Sequence, residues 1–130
     1  MSEIEHLELD DLLALVRALD TGPVRDVGLL DSAAARPQAT AFGEPAYRTV
    51  PLRAAALLHS LVSNHALVDD NKRLGWLATV VFLDLDACDV ELSDDDAFQL
   101  VMDVAAGSAQ VEEIAQRLQV RLRSAWTPQI

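Results

Sequence analysis

Apolar residues recur at helical spacing along most of the chain. Leu9, Leu12, Leu13, Val16 and Leu19 fall on one stripe, which predicts a helix over residues 9–20. Asp10 and Asp11 stand near its start, where the helix dipole favours negative charge, and Thr21-Gly22-Pro23 closes it. A second helix is expected over residues 27–35, stopped by Pro37. Residues 38–50 carry Gly43, Pro45, Tyr47 and Thr49 with no stripe and read as an exposed loop or short hairpin. Pro51 suits a first helical position and opens a segment to about residue 64 through Leu52, Ala55, Ala56, Leu58, Leu61 and Val62. Residues 72–85 are apolar almost all round, the pattern of a bundle's central helix. Ser93 can cap a helix that begins Asp94-Asp95-Asp96 and ends at Gly107, and a last helix is expected over residues 109–123. Six or more helices joined by short loops make an all-α fold, with residues 1–130 as a single domain.

Composition supports a real core. Of 130 residues, 51% are hydrophobic and the mean hydropathy is +0.16. A chain of this length buries roughly two thirds of its unfolded surface, enough without disulfides. Charge narrows the partners: ten basic against twenty-one acidic residues leave a net −11. That field repels nucleic acids and anionic membranes unless the few cations gather at one site, and it attracts cationic protein surfaces. Cys88 is alone and cannot form an internal disulfide, which suits a reducing compartment. The acidic opening Met1-Ser2-Glu3-Ile4-Glu5 does not read as a signal peptide. The longest apolar run, residues 76–83, is far short of a membrane span. These features lead to the expectation of a cytoplasmic protein with neither a nucleic-acid nor a membrane partner.

One stretch carries unusual chemistry: His65-Ala66-Leu67-Val68-Asp69-Asp70-Asn71-Lys72-Arg73, between the two most apolar segments. Basic side chains in a first helical turn face the positive end of the dipole, at a cost of about 0.3–1 kcal/mol each. An anion bound between Lys72, Arg73 and the free backbone N–H groups removes that conflict. Asn71 can cap the helix or donate its amide to an oxyanion. Asp69 and Asp70 add carboxylates that could hold Mg²⁺ against phosphates. Histidine is the side chain that exchanges protons near neutral pH, so His65 is a candidate general base. On these residues alone a second reading stands beside the first: a capped, solvated turn between two helices.

The same stretch resembles the signature of the Fic/Doc family, which begins His-Pro-Phe, continues with an acidic and a small residue, and then reads Asn-Gly-Arg or Asn-Lys-Arg. Val24-Arg25-Asp26-Val27-Gly28-Leu29-Leu30-Asp31-Ser32-Ala33, with Ala35-Arg36-Pro37-Gln38 after it, is similar to the family's upstream block. So are Ala54-Ala55-Ala56-Leu57-Leu58-His59-Ser60-Leu61 and the closing Val111-Glu112-Glu113-Ile114-Ala115. The resemblance spans nearly the whole chain and implies a Fic-fold bundle of about six helices with a short flap over residues 38–50 that pairs with a target segment. Lys72, where the Fic branch has Gly, and Trp76, where the Fic signature closes with Arg, are features of the Doc branch of toxins. That branch transfers the γ-phosphate of ATP to elongation factor Tu and is neutralised by a Phd-like antitoxin; the Fic branch transfers AMP.

By the resemblance, His65 takes the proton of a target hydroxyl, Asp69 ligates Mg²⁺ or orients the basic pair, and Asn71, Lys72 and Arg73 bind the ATP phosphates. Three positions depart from the pattern. Leu67 replaces Phe, Asp70 replaces Gly or Ala, and Ser63 replaces an Arg frequent in Doc relatives. They keep open a catalytically degenerate protein that only binds antitoxin or nucleotide.

Other features read as structure. The acidic run from Asp84 to Asp96 fails the calcium-loop pattern, because Asp89 stands where that loop needs Gly and Asp95 where it needs Glu. His59 reads as a packed histidine, with support of His65 as the alternative. Segments 40–45 and 108–113 approach the self-inhibitory motif of some Fic proteins, but both fail at its last position. Inhibition by a separate antitoxin is therefore expected.

Overall fold

The computed structural model describes residues 3–123. Among the described residues six α-helices dominate: α1 (Leu9–Leu19), α2 (Val27–Ala35), α3 (Val50–Ser63), α4 (Asn71–Leu85), α5 (Asp94–Ala105) and α6 (Val111–Arg117). A single 3-10 turn, Arg36–Gln38, follows α2. Local signals set most boundaries. Asp26, Thr49 and Ser93 each accept a bond from a backbone N–H three residues on, capping α2, α3 and α5. Asp11 reaches back to the Glu8 N–H at 2.8 Å and closes a capping box on α1. Pro51 stands in the first turn of α3, and Gly107 adopts φ +80° just beyond α5.

The centre of the bundle is α3, with Ala54 to Leu58, Ser60, Leu61 and Val62 all buried. The sequence pattern instead favours α4 as the central helix. In fact α4 buries Leu74, Gly75, Ala78, Thr79, Phe82 and Leu83, while Val80 and Leu85 stay exposed and Trp76 and Leu77 are half-buried. Its apolar circumference serves two surfaces, the core and an outer groove. α3 and α4 pack closely because Gly75 has no side chain: a Cβ there would meet Val62 Cγ2 at 2.7 Å. Thr79 buries its hydroxyl by donating it to the Gly75 carbonyl at 2.7 Å.

Two small antiparallel strand pairs also occur among the described residues. β1 (Thr40–Ala41) and β2 (Glu44–Pro45) form the hairpin expected within residues 38–50, with Phe42 (φ 54°) and Gly43 (φ +79°) as the two positive-φ residues of its turn. The second pair corrects the C-terminal expectation of one long helix. α6 ends at Arg117, Gln119 turns left-handed (φ 51°), and β4 (Val120–Leu122) pairs with β3 (Cys88–Val90). Arg123 ties this pair by donating to Asp84, to Asp89 at 3.0 Å and to the Cys88 carbonyl at 3.1 Å. No described helix is long and apolar enough to cross a membrane.

Close approach at Gly75 generates a test. Alanine there gains about 1 kcal/mol of helix propensity, but the collision with Val62 should cost about 1–3 kcal/mol. Gly75→Ala should therefore unfold at lower urea concentration than wild type. Pairing it with Val62→Ala should give a favourable coupling in a double-mutant cycle. Simple additivity would contradict the close approach.

Candidate functional site

The chemistry-bearing stretch folds as a loop over residues 64–70 that runs into α4, and it is tied on both sides. Outside, residues 23–26 lie antiparallel to it, with Val24 bridged to Leu67. The Arg25 and Asp26 N–H groups both donate to the Ala66 carbonyl, at 2.7 and 3.0 Å, and the Val68 N–H donates to the Pro23 carbonyl at 3.0 Å. The Arg25 guanidinium donates through Nε, at 3.0 Å, and Nη2 to the carbonyl of His65. On the inside, Asn71 Oδ1 accepts the Leu67 N–H at 3.0 Å while its Nδ2 donates to the Leu67 carbonyl at 3.0 Å. Ala66 and Leu67 are each 1% exposed and anchor the loop, while His65, Val68 and Asp69 stay exposed.

Two residues of the loop hold the left-handed conformation that glycine favours: His65 at φ 54° and Asp70 at φ 67°. Each costs about 1–2 kcal/mol for a residue with a Cβ. Asp70 is the N-cap residue of α4, but its side chain makes no capping bond. Instead its Oδ2 lies 3.7 Å from Arg73 Nη1, and its backbone N–H donates to Asp69 Oδ1 at 2.8 Å.

The N-terminus of α4 is thus uncapped by any side chain, and Lys72 and Arg73 stand exposed in its first turn. Lys72 is the single lysine of the sequence and forms no ion pair among the described residues. Free N–H groups, the positive end of the dipole and two cations make an anion site. Asp69 leaves one carboxylate oxygen free beside it, which fits Mg²⁺ shared with phosphates and water, though no group of three ligating side chains occurs among the described residues.

The predicted residues therefore sit on one loop and the first turn of α4, with one division of labour absent from the sequence reading. Both ends of the Asn71 amide are engaged by Leu67, leaving a single Nδ2 hydrogen for a ligand. Among the described residues His59 makes no hydrogen bond to His65; its Nδ1 lies 2.8 Å from Arg36 Nη1. A guanidinium can only donate, so His59 is neutral there and carries its proton on Nε2. Arg36 also donates to Ser60 Oγ and to the Tyr47 hydroxyl, both at 3.0 Å, joining α3 to the base of the hairpin. Arg53 holds the same hairpin by donating to the Tyr47 carbonyl at 2.8 Å, and it donates to His6 Nε2 at 3.0 Å.

Lys72 and Arg73 also stand at one end of a groove of about 600 Å³ between α4 and α5, reaching Leu19 of α1. Trp76, Val80, Phe98 and Met102 line it, and Phe98 is 67% exposed. Sequence reasoning uses Trp76 as a Doc-branch marker and passes over this groove, although surplus apolar residues on α4 were the signal for it. It also assigns Arg25 no role, since a contact across forty positions leaves no local pattern.

The Fic/DOC family model matches residues 6–83. The chain is 42% identical over 118 residues to the protein named Toxin Doc of Mycolicibacterium smegmatis, an alignment covering 88% of this chain and 91% of that protein.

The two arginine-bound imidazoles predict a pH dependence. Burial, then Arg53, holds His6 below the ordinary 6.5, and burial, then Arg36, does the same to His59. Unfolded chains take up these protons first as pH falls, so stability present above about pH 6.5 is lost below it. Replacing both histidines by Gln should remove this part of the decline between pH 7.5 and 5.5. Parallel stability curves for wild type and the double variant would contradict it.

Proposed function

Because the chain belongs to the Fic/DOC family, we propose that it is a Doc-type toxin that moves the γ-phosphate of ATP onto a protein hydroxyl. The target is elongation factor Tu, so the outcome is arrested translation in the cytoplasm. The observation that carries the reading is the start of α4: an uncapped helix end flanked by Lys72 and Arg73, in a chain of net charge −11.

In this mechanism Lys72, Arg73 and the first N–H groups of α4 hold the phosphates and offset charge that develops on them. His65 accepts the proton of a target Ser or Thr hydroxyl. That oxygen bonds to the γ-phosphorus as the bond to the β–γ bridging oxygen breaks, and ADP departs. Asp69 would hold Mg²⁺, which supplies further charge neutralisation on the phosphates when bound. Asn71 acts mainly by fixing the loop and has one N–H left for phosphate. The hairpin β1–β2 offers its edge to the target segment.

The apolar groove between α4 and α5 is the proposed seat of a Phd-like antitoxin, taken up as an amphipathic helix laid against exposed Phe98 and Met102. Since Lys72 and Arg73 border it, an occupant there reaches the nucleotide site.

A degenerate protein has one specific observation in its favour, the Asp70 carboxylate directed at Arg73 where a phosphate is to bind. That exposed pair is worth roughly 0–1 kcal/mol. Asp70→Gly should tighten ATP by up to about fivefold and relieve the left-handed strain.

Incubation with elongation factor Tu and ATP labelled at the α or the γ position tests the reading. We expect label from γ alone, abolished by His65→Ala. Label from α with retained AMP would replace phosphoryl transfer by nucleotidyl transfer, and no label with intact antitoxin binding would establish the degenerate protein.

A further inference from the structure

His65 departs from the backbone at φ 54°, and a residue with a side chain stays in that conformation only when its surroundings enforce it. The ties of the loop are unequal in kind. The Ala66 carbonyl is held by two backbone N–H groups, the Val68 N–H by a backbone carbonyl, and Leu67 by Asn71 at the start of α4. Only the His65 carbonyl is held by a side chain of the opposite segment, that of Arg25, through two nitrogens at once. In a chain with twenty-one acidic residues, this guanidinium makes no ion pair among the described residues. It is directed at one neutral oxygen instead.

We propose that Arg25 is the positioning residue of His65: its two-nitrogen grip on the His65 carbonyl sets the peptide plane from which the imidazole is presented. The proposal rests on His65 being the general base of the preceding section. It is separable from the fold, because substitution of Arg25 leaves its own backbone N–H, that of Asp26 and the Asn71 clamp in place. A planar two-pronged donor fixes an orientation, whereas a single ammonium fixes only a distance. Lysine should therefore restore little.

Arg25→Met and Arg25→Lys test this in the full-length protein, read by phosphate transfer, thermal unfolding and the ring resonances of His65 in NMR. For Arg25→Met, kcat should fall by up to about 100-fold, the loss a displaced catalytic group produces. The KM for ATP should stay within about threefold, since Lys72 and Arg73 are untouched. The midpoint of unfolding should barely change, and the His65 ring signals should move toward those of an unrestrained histidine while those of His6 and His59 hold. Arg25→Lys should resemble Arg25→Met. Wild-type kcat with unmoved His65 signals would overturn the proposal, as would a loss of activity that only parallels a loss of stability. Should the wild type transfer no phosphate, the proposed reaction fails and the ring signals alone decide: displacement upholds the positioning role, and constancy overturns it.

Discussion

The antiparallel tie between residues 23–26 and 65–68 is the constraint on which the rest of the site depends. Hydrogen bonds link Pro23, Arg25 and Asp26 to Ala66 and Val68, and Val24 pairs with Leu67. The loop is thereby fixed to a segment far earlier in the chain, while Asn71 fixes it to the first turn of α4. With Ala66 and Leu67 sunk in the core, the loop has little freedom to slide or refold. Two left-handed residues, His65 and Asp70, absorb the turns this demands. Such strain persists only where the surroundings over-determine the backbone.

Function follows from what that anchoring leaves outside. A chain of net charge −11 presents Lys72 and Arg73 together at an uncapped helix end, against the preference of the dipole. The local conflict disappears when an anion binds. The acidic remainder keeps other polyanions at a distance, and the exposed Asp70 carboxylate competes only weakly because it is open to water. The groove beyond Trp76 and Phe98 shares these same two cations. Under the proposed function, a partner filling the groove and a nucleotide at the helix end would compete for one small region.

Elements governed by local chemistry were legible in the sequence. The end of α2 follows from Pro37, the start of α3 from Pro51 and the start of α5 from Ser93; the Asp26 and Thr49 caps emerge only in the fold. The candidate residues His65, Asp69, Asn71, Lys72 and Arg73 do lie on one continuous loop and helix start. What escaped was governed by distant pairing. The stripe Val111, Ile114, Leu118 continues in helical register to Leu122, yet Leu122 is 69% exposed because β4 turns away to pair with β3. Arg25 on the His65 carbonyl and Arg36 on His59 leave no periodicity to read. The Asn71 amide, read as a cap or an oxyanion donor, is instead taken up by Leu67 four residues earlier, a local turn that also leaves no periodicity.

The central claim is that the loop is already set and that the helix end is where the anion sits. Titrating ATP into the isotope-labelled protein, with backbone amides followed by NMR, tests both parts together. The account predicts shifts concentrated at Asn71, Lys72 and Arg73, with the Leu67 and Val68 amides keeping their hydrogen-exchange protection throughout. Shifts centred elsewhere, or protection at Leu67 and Val68 that arises only after ATP is added, would contradict it.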